Sequence, residues 1–131
     1  MSGVLRADTT PRNPREGPFG HLDVRWVVGE GVGASLLAFG QSTYPSGSSH
    51  ENHYHPNAEE VVMILSGRGV ETVGDDALEL GPGDICFIPR NMPHRFVATS
   101  EEDCVMLWAF GGASTIEAAG YVPLPEEGEL A

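Results

Sequence analysis

The chain has 131 residues, enough for one packed domain, with 19 acidic and 7 basic residues and a net charge of −12 when histidine is neutral. So acidic a chain repels phosphate backbones and anionic membrane surfaces, which argues against nucleic acid and membrane partners. All seven basic residues are arginines. The absence of lysine excludes Schiff-base chemistry and a P-loop.

The N-terminal part of the chain, residues 1–20, carries three prolines and three glycines without hydrophobic periodicity. This composition predicts an extended N-terminal arm. Beyond it, residues 21–112 form a series of short apolar runs separated by turn residues. We predict eight strands, at 22–28, 34–44, 60–67, 69–73, 77–80, 84–89, 94–99 and 104–110. Many short strands with frequent turns indicate an all-β barrel or sandwich.

Residues 113–131 are predicted to form one short helix followed by an acidic tail. Ser114 with Glu117 three residues later has the pattern of a capping box, and Gly120 is a suitable stop. The sequence contains no apolar run of membrane-spanning length and no signal-peptide pattern. Cys86 and Cys104 lie inside apolar runs, so we interpret them as buried thiols of a cytoplasmic protein and not as a disulfide.

Three of the five histidines, His50, His53 and His55, fall within six residues. In an extended segment His53 and His55 point to the same face, and the turn that follows can return Glu60 beside them. His94 arrives 39 residues after His55, behind a proline-rich turn. Imidazoles with one carboxylate suit borderline divalent ions. The pattern therefore predicts one divalent transition metal per chain, from among Fe, Ni, Mn, Co and Zn.

The spacing of these residues resembles the first motif of the cupin superfamily, which runs from Gly47 through the histidines and Glu60 to Gly67. The second motif, Gly-x5-Pro-x-Gly-x2-His-x3-Asn, is matched at Gly83, Pro89 and His94. It departs from the family pattern at two positions, Asn91 and Ala98. Asn91 is a mild departure, because asparagine tolerates positive φ better than other non-glycine residues.

The resemblance covers residues 21–110. It implies a single double-stranded β-helix, the cupin or jelly-roll barrel, over residues 21–112. It also implies that the metal ligands are His53, His55, Glu60 and His94. Ala98 does not occupy a ligand position in the family, so its departure leaves this ligand set unaffected.

Further candidates surround the expected metal. Glu60 and His50 are candidate catalytic acid–base groups, although His50 has the alternative of an exposed loop residue. The strand alternation places Gln41 with Phe39, and both are predicted to line the substrate pocket. Trp108 and Phe110 are predicted to line the same pocket, with core packing as the alternative. Glu59 is expected to face solvent, opposite to Glu60.

Three functions remain open at this point. The first is a metal-dependent enzyme of the dioxygenase type, acting on a small enolic or phenolic substrate and resembling quercetinase-type cupins. The second is a non-redox polyketide cyclase, isomerase or lyase, resembling small bacterial single-domain cupins. The third is a non-catalytic cupin that binds a small molecule. A bare sheet edge invites association, so we also predict a homodimer.

Overall fold

The computed structural model describes residues 3–12 and 22–125, and in this part the chain folds into two five-stranded antiparallel sheets. The strands are β1 Asp23–Val28, β2 Leu37–Tyr44, β3 Ser49–Tyr54, β4 Glu59–Ser66, β5 Gly69–Val73, β6 Asp76–Leu80, β7 Ile85–Ile88, β8 His94–Ala98, β9 Cys104–Gly111 and β10 Val122–Pro123. One sheet has the strand order β1-β2-β9-β4-β7 and the other has the order β10-β3-β8-β5-β6. A short helix, α1, spans Ile116–Ala119.

The core lies between the two sheets, because alternate side chains of each strand point inward. β9, for example, buries every second residue from Cys104 to Phe110. Tyr44 of the first sheet meets Phe96 of the second edge to face, with ring centroids 4.9 Å apart. The predicted all-β, double-stranded β-helix fold with one short C-terminal helix is therefore confirmed.

Two strands, β3 and β10, are absent from the eight predicted ones. β3 is rich in polar residues, and its pairing with β8 is interrupted by a bulge between His50 and His53. Because the bulge adds a residue to one strand, side chains three positions apart both point inward. A regular period of two does not describe this segment, and so alternation alone did not identify it as a strand.

The inward and outward faces of β2 are the reverse of those predicted. Phe39 and Gln41, predicted to line the substrate pocket, lie on the outer face of the sheet, and Phe39 is 38% exposed. Ser42 and Tyr44 point inward in their place. The outer face of this strand is apolar as well, so the alternation of apolar residues did not distinguish inside from outside.

An outer apolar face extends across four strands of the first sheet. Residues directly opposite each other on paired strands share a face, and the register aligns Phe39, Ala109, Val61 and Phe87 in one row. Leu107, Met63 and Ile85 form a second row. Phe87 is 54% exposed and Ile85 is 65% exposed. The described residues therefore present an apolar surface of considerable extent to solvent.

Helix α1 begins one residue later than predicted. Its N-cap is Thr115, whose Oγ1 accepts a hydrogen bond from the backbone N–H of Ala118 at 3.0 Å, whereas Ser114 is buried. Gly120 ends the helix, as predicted, with a φ of +81°. Within the described ranges no helix is long and apolar enough to cross a membrane.

Residues 3–12 of the predicted arm pack against β1 of the same chain and contain a 3-10 turn at Ala7–Thr9. The Arg25 guanidinium donates hydrogen bonds to the carbonyls of Ala7 at 3.4 Å and Thr10 at 3.0 Å. This part of the arm is thus held against its own sheet. The rest of the predicted arm and the end of the acidic tail lie outside the described residues, and the domain boundaries remain predictions.

Candidate metal centre

A small cavity lies between the two sheets, with a volume of about 40 Å³. One water molecule needs roughly 10–15 Å³ on this scale, so the cavity accommodates an ion and a few ligand atoms. Its polar wall includes Ser42, His50, His53, His55, Glu60, Glu71 and His94. Its other walls are mainly apolar and aromatic, and they include Trp26, Tyr44, Val62, Phe96, Met106, Trp108 and Phe110.

Three buried histidines converge at one side of this cavity. His53 on β3 lies directly opposite His94 on β8, and their ring centroids are 4.2 Å apart. His55 follows the end of β3, with its ring centroid 4.9 Å from that of His53. One nitrogen from each ring lies within 4.8 Å of the others, close enough for all three to hold one metal ion.

Backbone carbonyls fix the orientation of all three rings. The Nδ1–H group of His53 donates to Glu51 O at 2.6 Å, that of His55 donates to Gly120 O at 2.6 Å, and that of His94 donates to Met92 O at 3.0 Å. A carbonyl oxygen only accepts, so Nδ1 carries the proton in each ring. In a neutral ring this leaves the lone pair on Nε2, as a metal ligand requires.

Glu60 on β4 completes the cluster from the other sheet. Its Oε1 lies 3.3 Å from Nε2 of His55 and 3.3 Å from Nε2 of His94. Nevertheless, neither this oxygen nor Nε2 of His94 has a hydrogen-bond partner, although both atoms are buried. Buried polar atoms that face each other without a hydrogen bond are costly unless a cation binds them together. The donor set therefore fits a divalent metal.

The charges of the cluster act differently on its members: burial opposes a charge on His94, but the Glu60 carboxylate outweighs burial and raises the pKa of that ring. Burial would by itself raise the pKa of the Glu60 carboxyl, but the neighbouring His55 and His94 hold that pKa well below its usual range. Burial, reinforced by the nearby histidine rings, lowers the pKa of His53 to about 2. Glu60 is therefore ionised and His53 neutral at physiological pH.

The direction of the two neighbouring carboxylates agrees with the prediction. Glu59 is exposed, while the Glu60 side chain points into the cavity and is 13% exposed.

His50 is buried at 5% exposure and also lines the cavity, so it is not an exposed loop residue. Burial lowers the pKa of His50 to about 4.

The C-terminal segment covers the histidines, which the sequence did not lead us to expect. Tyr121 stacks on His53 with ring centroids 4.6 Å apart and an interplanar angle of 19°. Its hydroxyl donates to Glu51 Oε1 at 2.8 Å, and β10 then pairs with β3. The tail sequence is short and contains prolines, so it gives little sign of a strand.

Trp108 and Phe110 line the cavity, and their role in a substrate pocket stays a prediction. The Nε1–H of Trp108 donates to Ser42 Oγ at 2.9 Å inside the core, which fixes the indole. Trp26 packs against Trp108 with ring centroids 4.7 Å apart. The cavity is therefore walled by rings whose positions are set by packing and by one hydrogen bond.

Glu71 on β5 is a cavity residue that the sequence analysis missed. It is 2% exposed, and burial together with the negative charge of Glu60 raises the pKa of its carboxyl well above the ordinary value. The only sequence signal for its burial is strand alternation in the run GVETV, which places Glu71 on the same face as Gly69. A glutamate in such a position is normally assigned to the solvent side.

Taken together, a two-sheet β-sandwich with a buried cluster of three histidines and one glutamate defines a candidate metalloprotein. A protein-family model described as "Cupin domain" matches residues 40–110. This match includes the four clustered side chains and more than half of the chain. The chain therefore belongs to the cupin family.

The relatives include both bacterial enzymes and proteins of less specific description. Protein SchB from Streptomyces halstedii is 26% identical over 129 residues, covering 98% of this chain and 91% of that protein. Acireductone dioxygenase from Exiguobacterium sibiricum is 30% identical over 82 residues, covering 59% of this chain. The match spans only 43% of the dioxygenase.

Among solved structures, the polyketide cyclase RemF from Streptomyces resistomycificus has a TM-score of 0.79 at 20% sequence identity. The match covers 98% of this chain and 89% of the cyclase. At this level of identity the likeness establishes the shared fold.

Proposed function

We propose that this cupin is a metal-dependent enzyme that acts on a small enolic or phenolic substrate. One observation carries the proposal: three oriented imidazoles and one ionised carboxylate converge, with buried atoms that lack hydrogen-bond partners, on a mainly apolar cavity. An enol or phenol has the matching character, because it combines an oxygen donor with an apolar body.

In this proposal His53, His55, Glu60 and His94 hold one divalent ion, with Fe, Ni, Mn, Co and Zn all compatible with the donor set. When bound, such an ion supplies Lewis-acid chemistry toward a substrate oxygen. Glu60 is placed to accept a proton from the substrate, because it is ionised and faces the cavity. His50 is a second candidate base, since its ring is neutral and lines the same cavity.

We propose two reaction classes, dioxygenation first and non-redox chemistry second. Dioxygenation is supported by the donor set of three histidines and a glutamate and by the similarity to acireductone dioxygenase. Non-redox cyclisation, isomerisation or lyase chemistry is supported by the likeness to the polyketide cyclase RemF, which extends over nearly the whole chain. A non-catalytic binding role is less well supported, because a binding domain has no need of a complete donor set.

The test has two stages. Elemental analysis of the protein as purified should find one transition metal per chain, and His53→Ala combined with His94→Ala should remove it. Near-stoichiometric metal in the double variant would overturn the ligand assignment. Oxygen uptake with phenolic and enolic substrates then separates the reactions: consumption of O₂ supports dioxygenation, and turnover without O₂ supports the non-redox class.

We also propose that the protein is a homodimer formed through the outer apolar face. Each chain carries a charge of −12, so two copies repel at long range, and an apolar contact face avoids adding local repulsion between like charges. The two rows of residues that include Val61 and Met63 carry no charged residue on β2, β9, β4 and β7, and the charged residues Glu59 and Arg25 lie at the margins of this face. A second copy of the same face is thus a suitable partner, because a twofold interface is self-complementary.

A cytoplasmic location is proposed as well. Cys86 and Cys104 are both buried and free, and burial raises the pKa of each thiol to about 11. Thiols held in this state are unreactive and suit a reducing compartment.

A further inference from the structure

The Glu71 carboxyl is a buried acidic group within the cavity that the proposed metal site does not use. It lies on the inner face of β5, on the sheet that also carries His53 and His94. Its Oε2 is buried and has no hydrogen-bond partner, and the described residues provide it with no ion pair. A buried polar atom without a hydrogen-bond partner lowers the stability of the fold, so its presence needs a structural or functional explanation.

The strand register places Glu71 close to the histidine cluster without making it a member. Glu71 lies directly opposite Phe96, and His94 lies two residues before Phe96 on the same strand. The two residues are therefore diagonal neighbours, whose backbones are roughly 7–8 Å apart. Both side chains line the same cavity. An oxygen donor bound at the cluster would therefore share this cavity with the Glu71 carboxyl.

We propose that Glu71 is the second polar anchor of the active site, and that its Oε2 hydrogen-bonds a hydroxyl or carbonyl oxygen of the substrate held at His53, His55, Glu60 and His94. This inference rests on the proposed function and adds a specificity-determining residue to it. A substrate with two neighbouring oxygens satisfies both ends of the site: one oxygen reaches the cluster and the other satisfies the buried carboxyl.

The protonation state of Glu71 favours this class of substrate. The titratable groups that face the carboxyl are Glu60 on β4, whose charge acts on Glu71, and Tyr44 on β2 and Cys86 on β7, whose pKa values burial and Glu71 raise. Burial and the charge of Glu60 raise the pKa of Glu71, which favours the neutral acid. A neutral carboxyl both donates and accepts, so it pairs with a carbonyl oxygen or with a hydroxyl.

The experiment uses cobalt-loaded protein, in which the visible absorption of Co²⁺ reports binding, with catechol and phenol as probes. Catechol carries a second, neighbouring hydroxyl that phenol lacks. The variants are Glu71→Met, which removes the polar group, and Glu71→Gln, which retains a donor and an acceptor. Glu79→Gln serves as the matched control, because Glu79 is exposed on the neighbouring strand β6. Cobalt content is measured for every protein.

We expect all four proteins to bind one cobalt per chain. Glu71→Met should weaken catechol binding about tenfold and leave phenol binding unchanged, as expected for the loss of one buried hydrogen bond. Glu71→Gln should remain within about threefold of the wild type, because its amide replaces the bond, and Glu79→Gln should match the wild type.

Equal losses for catechol and phenol, or a Glu71→Gln variant as weak as Glu71→Met, would overturn the anchoring role. Loss of cobalt from Glu71→Met would overturn it too, since the residue would then support the metal site. Wild-type protein that binds cobalt but not catechol contradicts the second-oxygen anchor alone. Wild-type protein that binds no cobalt contradicts the proposed function and, with it, this inference.

Discussion

His55 and Gly120, 65 residues apart in the chain, are joined by a hydrogen bond of 2.6 Å from the imidazole Nδ1–H to the backbone carbonyl. Gly120 lies just beyond helix α1 with a φ of +81°, a conformation that glycine adopts without strain. The C-terminal segment therefore sets the ring orientation of His55, a candidate metal ligand that lies much earlier in the chain.

Gly120→Ala should weaken metal binding about tenfold, the lower end of the usual effect of removing such a supporting bond. An added Cβ would lie 2.6 Å from Pro56 Cγ and 2.7 Å from Pro56 Cδ, so the backbone must move and the carbonyl with it. Competition against a chromophoric chelator measures the affinity. Gly83→Ala is the control, because its φ is +87° but its Cβ would have no atom within 4 Å. Equal losses in both variants would mean that backbone strain, and not the bond to His55, causes the effect.

Glu60→Gln should keep the fold but lose at least about tenfold in metal affinity, because the carboxylate is the anionic donor of the cluster. Turnover, once a substrate is established, should fall about a hundredfold, the usual scale for a lost acid–base group. Glu59→Gln should have little effect, since that side chain is exposed. Circular dichroism and metal content are measured side by side for both. The reverse result would mean that the register of β4 is shifted by one residue.

Replacing Phe87 and Ile85 together by serine should convert the proposed homodimer to a monomer. Both side chains are more than half exposed on the outer apolar face, so the change removes contact area without disturbing the core. Light scattering at micromolar concentration measures the mass. Leu78→Ser is the control, because Leu78 is 39% exposed on the other sheet. A monomeric wild type, or dissociation by Leu78→Ser alone, would count against this interface.

Glu71→Gln should change how the stability of the metal-free protein depends on pH. Because the folded state raises the pKa of Glu71, the folded protein retains a proton that the unfolded chain releases above its ordinary pKa of about 4.3. The stabilisation linked to this proton is complete below that pH and is lost as pH rises toward the folded pKa, at up to about 1.4 kcal/mol per pH unit. Denaturation midpoints from pH 5 to 8 should therefore fall more steeply for the wild type than for Glu71→Gln. Parallel curves would show that Glu71 titrates normally.

The sequence predicted those parts of the site in which residue type and spacing are closely tied to chemistry. The positions of His53, His55, Glu60 and His94 follow from the donor pattern, and the structure places these four side chains together. Asn91 has a φ of +69°, as expected for an asparagine in place of a glycine. Such positions are predictable because few residue types satisfy the local requirement.

The parts that could not be predicted depend on contacts between distant segments. The inward side of β2 was not identifiable, because an apolar surface on the outside of the sheet makes both faces alike. Gly40 marks the true inner face, since a Cβ there would collide with the ring of Trp108, but this contact exists only in the folded chain. The burial of Glu71 is of the same kind, because nothing local distinguishes it from a solvent-facing glutamate.

Because Gly120 and Tyr121 cover the histidine cluster, they also determine when this cluster is enclosed during synthesis of the chain. Both residues are synthesised after all four proposed donors, so a growing chain carries the complete donor set before the carbonyl that orients His55 exists. Enclosure of an ion at the proposed metal site would thus be a late event of biosynthesis. Because affinities for divalent ions follow a common order, the ions available in that interval would contribute, together with ligand type and geometry, to the choice of metal at the proposed site.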